Sequence, residues 1–153
     1  MDENQINQKL EKTANYQGTF ALDEVNEINV FDIPCFAVIN LDERKNCERK
    51  NCGNHWIGIA IYMKNVYICD SLGGLIPSKE FPCQLVKFLY NLSLTRNIHI
   101  TKQLQPLNSG LCGLYCITFV NEMSQFNSFS HFISLFTTNL YQNDVIVKFL
   151  NAV

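Results

Sequence analysis

No apolar run in the sequence is long enough to cross a bilayer; the longest, around Trp56 to Met63, falls far short of the roughly 20 residues required and contains Gly58. A leader with a basic start and an apolar middle is missing too, because residues 1–18, MDENQINQKLEKTANYQG, are polar. The expectation is therefore an intracellular chain with no membrane partner. Excess charge of one sign is also lacking. Twelve Lys and Arg against fourteen Asp and Glu give a net charge of -2 and a pI near 5.9, which supplies no general pull toward nucleic acid or anionic lipid. There is no internal repeat and no low-complexity block. What remains is ordinary globular material: 153 residues, 47% hydrophobic and 17% charged, enough for one core. A single domain over 1–153 is expected, with 1–17 as a polar amino-terminal segment. Seven cysteines, at 35, 47, 52, 69, 83, 112 and 116, are an odd total for a disulfide framework. Reduced thiols, and hence thiol chemistry or metal binding, become the question.

The apolar pattern predicts strands at 36–40, 56–63, 66–69 and 98–100, where β-branched and aromatic residues dominate. Lys64 and Asn65 read as a two-residue hairpin turn, and Asp70-Ser-Leu-Gly-Gly74 closes the second strand of that pair. Residues 78–91 have apolar positions at 81, 85, 88 and 89, the spacing of an amphipathic helix with Pro82 in its first turn. The stretch 111–123 is apolar all round, as in a helix buried within a domain. Two further helices are expected near 129–137 and 142–151, capped by Ser130 and Asn143. Strands first and helices wrapped around them make the expected class α+β, with a central sheet packed by helices.

A thiol nucleophile needs a base, a group to orient that base, and donors aimed at the developing oxyanion. Cys112 opens the buried helix, where the helix amino terminus favours a thiolate. His55, just before a strand, is the candidate base, and Asp70, at the end of the partner strand, the group that orients it. Gln105, on the loop before the helix, could share an oxyanion site with the Cys112 N–H. Gln103 competes for that role, the seven-residue interval to Cys112 favouring Gln105. One geometric difficulty follows from the expected turn. It would place Asp70 opposite Ile59, roughly 13 Å along the strand from His55, so the triad needs another register or a bulge.

Gly53-Asn-His55-Trp56, the strand pair ending in Asp70-Ser, and Gln105-Pro-Leu-Asn-Ser-Gly-Leu-Cys112-Gly-Leu-Tyr-Cys116 resemble the adenain family of cysteine proteases. That family includes the adenoviral, Polinton-type and virophage enzymes and shares a clan with the SUMO and ubiquitin-like-protein proteases. The resemblance runs from about Gly18 to Met123. It implies an α+β cysteine endopeptidase with His55 as general base, Asp70 as its orienter, Gln105 as oxyanion donor, Cys112 as nucleophile, and Cys116 as the family's second, noncatalytic cysteine. It further implies cleavage of viral or mobile-element precursor polypeptides during virion maturation, after small residues of Gly-Gly or Gly-X type. The location implied is the virion, or the host nucleus or cytoplasm, with viral DNA as a candidate partner and a monomer favoured. No cofactor or metal is needed for the chemistry, while activation by DNA or by a peptide is the family's habit. The sequence departs from adenain in using Asp70 where that family has Glu. It also has no cysteine in 94–100 to link an activating peptide by a disulfide. Leu111 before the nucleophile is closer to the viral branch than to the SUMO proteases, which usually carry an acidic residue there.

Other readings stand beside this one. A SUMO or ubiquitin-like-protein deconjugating protease is the rival within the clan, and a noncatalytic zinc- or protein-binding module is the rival outside it. Cys47, Cys52 and His55 form a loose C-x4-C-x2-H spacing that falls one ligand short of a tetrahedral zinc site and would consume the base. Cys69 and Cys83 read as core residues. Trp56 reads as part core and part cleft wall, with an indole N–H seeking a partner. Glu43 to Lys50 mixes charges of both signs and reads as a solvated loop, with contact to DNA as its functional alternative.

Overall fold

The computed structural model describes residues 1–47, 55–74 and 81–152, and at 46 and 47 the backbone only. Its centre is a five-stranded sheet in the spatial order β1 (Tyr16–Phe20), β2 (Cys35–Asn40), β3 (Trp56–Ile61), β4 (Asn65–Cys69) and β5 (Asn97–Ile100). The sheet is mixed. β1 runs parallel to β2 and β4 parallel to β5, while β2, β3 and β4 alternate in direction. The described helices are α1 (Glu3–Leu10), α2 (Arg44–Cys47), α3 (Cys83–Ser93), α4 (Cys112–Phe126), α5 (Phe129–Ser134) and α6 (Leu140–Leu150). The class is α+β, and none of these helices is long and apolar enough to cross a membrane.

Both faces of the central strands are covered, which is why β2 and β3 are buried at every step and, Asn40 apart, carry no polar side chain. Phe36, Val38, Trp56, Ala60 and Cys69 face a core built on α4, whose Tyr115, Cys116, Phe119 and Val120 are buried. Ala37, Ile39, Ile57, Ile59 and Ile68 face the opposite way, onto Leu85, Phe88, Leu89 and Leu92 of α3. α4 crosses β3 at Gly58, where an added Cβ would stand 2.6 Å from Phe119 Cδ1. A side chain there would push away the helix that carries Cys112.

Several expectations are corrected. The polar amino-terminal segment contains α1, closed by a capping box in which Asp2 and Gln5 each bond the other's backbone N–H, and its Ile6 and Leu10 are fully buried. A helix therefore precedes the strands. Within 43–50, the described part is not simply solvated. Arg44 reaches both Glu3 (2.6 Å) and Glu24 (2.7 Å), each through two nitrogen–oxygen bonds, and so ties α1 to the 3-10 turn Leu22–Glu27. Residues 48–50 lie outside the described residues. Pro82 caps α3 from outside rather than sitting in its first turn, and Cys83, at the helix start, is exposed because Leu85 and Phe88 define the inward face. The caps of α5 and α6 are Ser128 and Asn139, not Ser130 and Asn143. Asn143 is buried one turn further on, where its amide donates to the carbonyls of Leu104 (2.9 Å) and Thr137 (3.0 Å).

Candidate active site

The hairpin turn sits one residue earlier than expected, closed by Tyr62 N–H donating to Asn65 O at 2.9 Å around Met63 and Lys64. Gly58 then pairs with Cys69 and Ile59 with Ile68, so the next position would set Asp70 against Ile57 instead of Ile59. The remaining offset to His55 is two residues, about 7 Å along the strand, which the two side chains span. His55 Nε2 lies 2.7 Å from Asp70 Oδ1, and both side chains are buried. A carboxylate can only accept, so Nε2 carries the hydrogen and the other ring nitrogen is left as the basic one.

Asp70 is itself held by the turn that follows β4. Leu72 N–H donates to its Oδ1 (3.1 Å) and Gly74 N–H to its Oδ2 (2.9 Å), while Gly73 N–H and the Thr101 hydroxyl both donate to its carbonyl. Gly73 has a φ of +68° and lies directly against the backbone of Gln103, so only glycine fits there. The turn and the 101–105 stretch are thereby locked together.

Cys112 is the first residue of α4, after Leu111, and no side chain caps the helix amino terminus. The free N–H groups of that first turn face the thiol's end of the helix. Burial works against charge on both Cys112 and His55. At Cys112 that burial is outweighed by the His55 side chain and by the backbone N–H groups of Trp56 and Gly113, so the thiol is held below its ordinary pKa. At His55 the burial is outweighed by Asp70 and by Cys112, and the imidazole is pushed up to about 9. Both directions favour a thiolate–imidazolium pair. His55 Nδ1 is buried and completes no hydrogen bond among the described residues. Cys112 is the side chain besides Asp70 to which this imidazole is coupled.

Gln105 is also buried. Its Nε2 donates to Ser109 O (2.7 Å), its Oε1 accepts from the Ser71 hydroxyl (2.5 Å), and its backbone N–H donates to Ser71 O (3.0 Å). Gln103 donates instead to the carbonyl of Gln105, at 3.0 Å. Trp56 is buried entirely rather than in part, and its Nε1–H finds the carbonyl of Met1 at 3.3 Å. Met1 also lies against Gly113, where a Cβ would meet its Sδ at 3.0 Å. Met1 and Ser71 are the neighbours of the site that sequence reasoning missed. The capping box that positions Met1 was readable, whereas the pairing of Ser71 with Gln105 spans residues far apart in the chain. Cys69 and Cys116 are buried close by, and burial pushes both thiols well up.

Among the described residues no group of three or more His, Cys, Asp or Glu side chains could hold a metal ion. Of the C-x4-C-x2-H spacing, His55 is engaged with Asp70, while Cys52 and the Cys47 side chain lie outside the described residues.

No family model matches the chain, and neither does any curated protein. Among solved structures it is similar to the central domain of the uncharacterized Lpg1148 protein from Legionella pneumophila, with a TM-score of 0.57 at 12% identity over 95% of this chain and 90% of that one. That likeness is one of fold. It is also similar to ChlaDub1 from Chlamydia trachomatis, with a TM-score of 0.49 at 15% identity over 77% of this chain, and to the ASFV pS273R protease, with a TM-score of 0.46 at 18% identity over 74%. The chain spans 58% and 44% of those two proteins.

Proposed function

We propose that the chain is a cysteine endopeptidase. The observation that carries this reading is the thiol of Cys112 at an uncapped helix amino terminus, lowered in pKa by an imidazole that Asp70 holds from behind. His55 takes the thiol proton, and the thiolate attacks the carbonyl carbon of a peptide bond. The oxyanion so formed is met by the Gln105 amide and the Cys112 N–H. Collapse breaks the C–N bond, and the leaving amine takes its proton from His55. A water molecule, giving a proton to the same ring nitrogen, then attacks the thioester, and the departing thiolate leaves the substrate as a carboxylate. No cofactor enters these steps.

The finer reading is a protease of viral or mobile-element precursor polypeptides, acting during virion maturation and cutting after small residues. Burial supports the last point. Cys112 is only 7% exposed and His55 5%, and Met1 packs against Gly113 beside the nucleophile, so a backbone free of bulky side chains reaches the thiol most easily. Contact with viral DNA and a place in the virion or in the host nucleus or cytoplasm belong to the same proposal.

The test is the pH dependence of Cys112 alkylation by iodoacetamide, mapped by peptide mass, in wild type and His55→Ala. Labelling that persists well below pH 7 and collapses in the variant supports the reading. Labelling that rises only near the ordinary thiol pKa of about 8.5, unchanged by the mutation, overturns it in favour of a binding module. Cleavage of a Gly-Gly peptide compared with that of a folded ubiquitin-like fusion then separates a precursor protease from a deconjugating one.

A further inference from the structure

We infer that Ser71 is a positioning residue for oxyanion stabilisation, acting through Gln105; the inference rests on the proposed reading of the site. Consecutive residues of one turn divide the work. Asp70 turns its carboxylate to His55, while Ser71, also buried, turns its hydroxyl to Gln105 Oε1 at 2.5 Å. The Ser71 carbonyl also accepts from Leu104 N–H (2.8 Å) and Gln105 N–H (3.0 Å). Gln105 is thus held to Ser71 by both its backbone and its side chain.

The chemistry of the partners fixes which way the amide points. Ser109 O can only accept, so Nε2 must face it, and Oε1 must face the hydroxyl, which donates. A flipped amide would set two carbonyl oxygens against each other at Ser109. With one Nε2 hydrogen on Ser109 O, the second is the one available to an oxyanion. Donation by Ser71 into Oε1 also polarises the amide and strengthens its N–H groups as donors. Without the hydroxyl, Oε1 is a buried acceptor with no partner, and the amide loses one of its two side-chain anchors.

Two reactions of Cys112 separate this role from a structural one. Alkylation by iodoacetamide displaces a halide and forms no oxyanion, whereas acylation by p-nitrophenyl acetate passes through a tetrahedral oxyanion. Both are measured on the full chain and corrected with Cys112→Ala. Removal of a whole oxyanion donor costs about 10² to 10³ in rate, so Gln105→Ala should slow acylation by about 100-fold. Ser71→Ala, which leaves the donor present but loose, should slow it by about 10-fold. In Ser71→Ala the alkylation rate and its pH midpoint should stay within about twofold of wild type. Ser71→Ala added to Gln105→Ala should cost nothing more. Equal loss of alkylation and acylation, unchanged acylation, or a further loss in the double variant each overturns the inference. Should Ser71→Ala fail to fold, the near-isosteric pair Ser71→Thr and Ser71→Val, with and without the hydroxyl, decides by the same ratio. Failure of the parent reading is distinct, since wild type would then show no acylation above Cys112→Ala.

Discussion

His55 Nε2 and Asp70 Oδ1 stand 2.7 Å apart although they leave different strands, and the register that brings them together is two residues away from the one a turn at Lys64-Asn65 would impose. The ion pair with Cys112 depends on this contact, because Asp70 is the first of the groups that raise the imidazole against burial. Asp70→Asn keeps an acceptor for the turn but removes the charge. Turnover should fall on the order of 10³-fold or more, and the midpoint of Cys112 alkylation should move to higher pH. An unchanged midpoint would sink the pairing.

Activity should follow the ion pair through pH. The thiolate persists down to the lowered pKa of Cys112, and the imidazolium persists up to about 9, so the profile of kcat/KM is bell-shaped with its alkaline limb near 9. Stability follows with the opposite signs for the two groups. The contribution of His55, raised from 6.5 to about 9, is full below 6.5 and is lost as pH rises through 9. That of Cys112, lowered on folding, is present above the unfolded thiol pKa and lost as pH falls through the folded one. In a Cys112→Ala background, where only the His55 contribution remains, the melting-temperature advantage of His55 over His55→Gln should shrink between pH 6 and pH 10.

Gly58→Ala tests the seat of α4. Its Cβ would meet the fully buried Phe119 ring, and overpacking of this kind costs about 1–3 kcal/mol. Chemical denaturation of Gly58→Ala, Phe119→Leu and the double variant should show the second change relieving the first. Additive losses would place the contact elsewhere.

Arg44→Ala should loosen α1 rather than unfold the domain. Its ion pairs are about one-third exposed, so the loss is about 1 kcal/mol. Hydrogen exchange at 3–10 should quicken, and added salt should narrow the difference from wild type. Exchange unchanged in α1 would mean that Ile6 and Leu10 hold the helix unaided.

Thiol labelling of the native protein should divide the described cysteines. Cys83 is exposed and should react with a maleimide without unfolding, while Cys69 and Cys116, buried and pushed well up, should react only on denaturation. Labelling of Cys116 in the native state would contradict the burial of α4.

The residues proposed for chemistry were legible because each has a local signature: a His at a strand start, an Asp at a strand end, a Cys opening an apolar helix. The class was legible for the same reason, since 36–39, 56–61 and 111–120 are almost wholly apolar. What escaped depends on partners distant in sequence. α1 has only Ile6 and Leu10 to bury among polar neighbours, and its signal was the Asp2–Gln5 capping box. Arg44 reads as loop until Glu3 and Glu24 are brought to it. Ser130 read as the cap of α5, whereas Ser128 accepts from His131 N–H. Phe132, buried edge-on against Phe119 of α4, makes a contact between residues that lie apart in the chain.

The two-sided burial of β3 sorts mutations by parity. Trp56 and Ala60 point toward α4, which carries Cys112, and Ile57, Ile59 and Ile61 toward α3. Neighbours in sequence thus answer to different constraints: one set holds alignment with Cys112, while the other need only fill space. Divergence that keeps the seat of Cys112 has its freest ground under α3, where volume-conserving exchanges of aliphatic side chains leave the face that meets α4 in place.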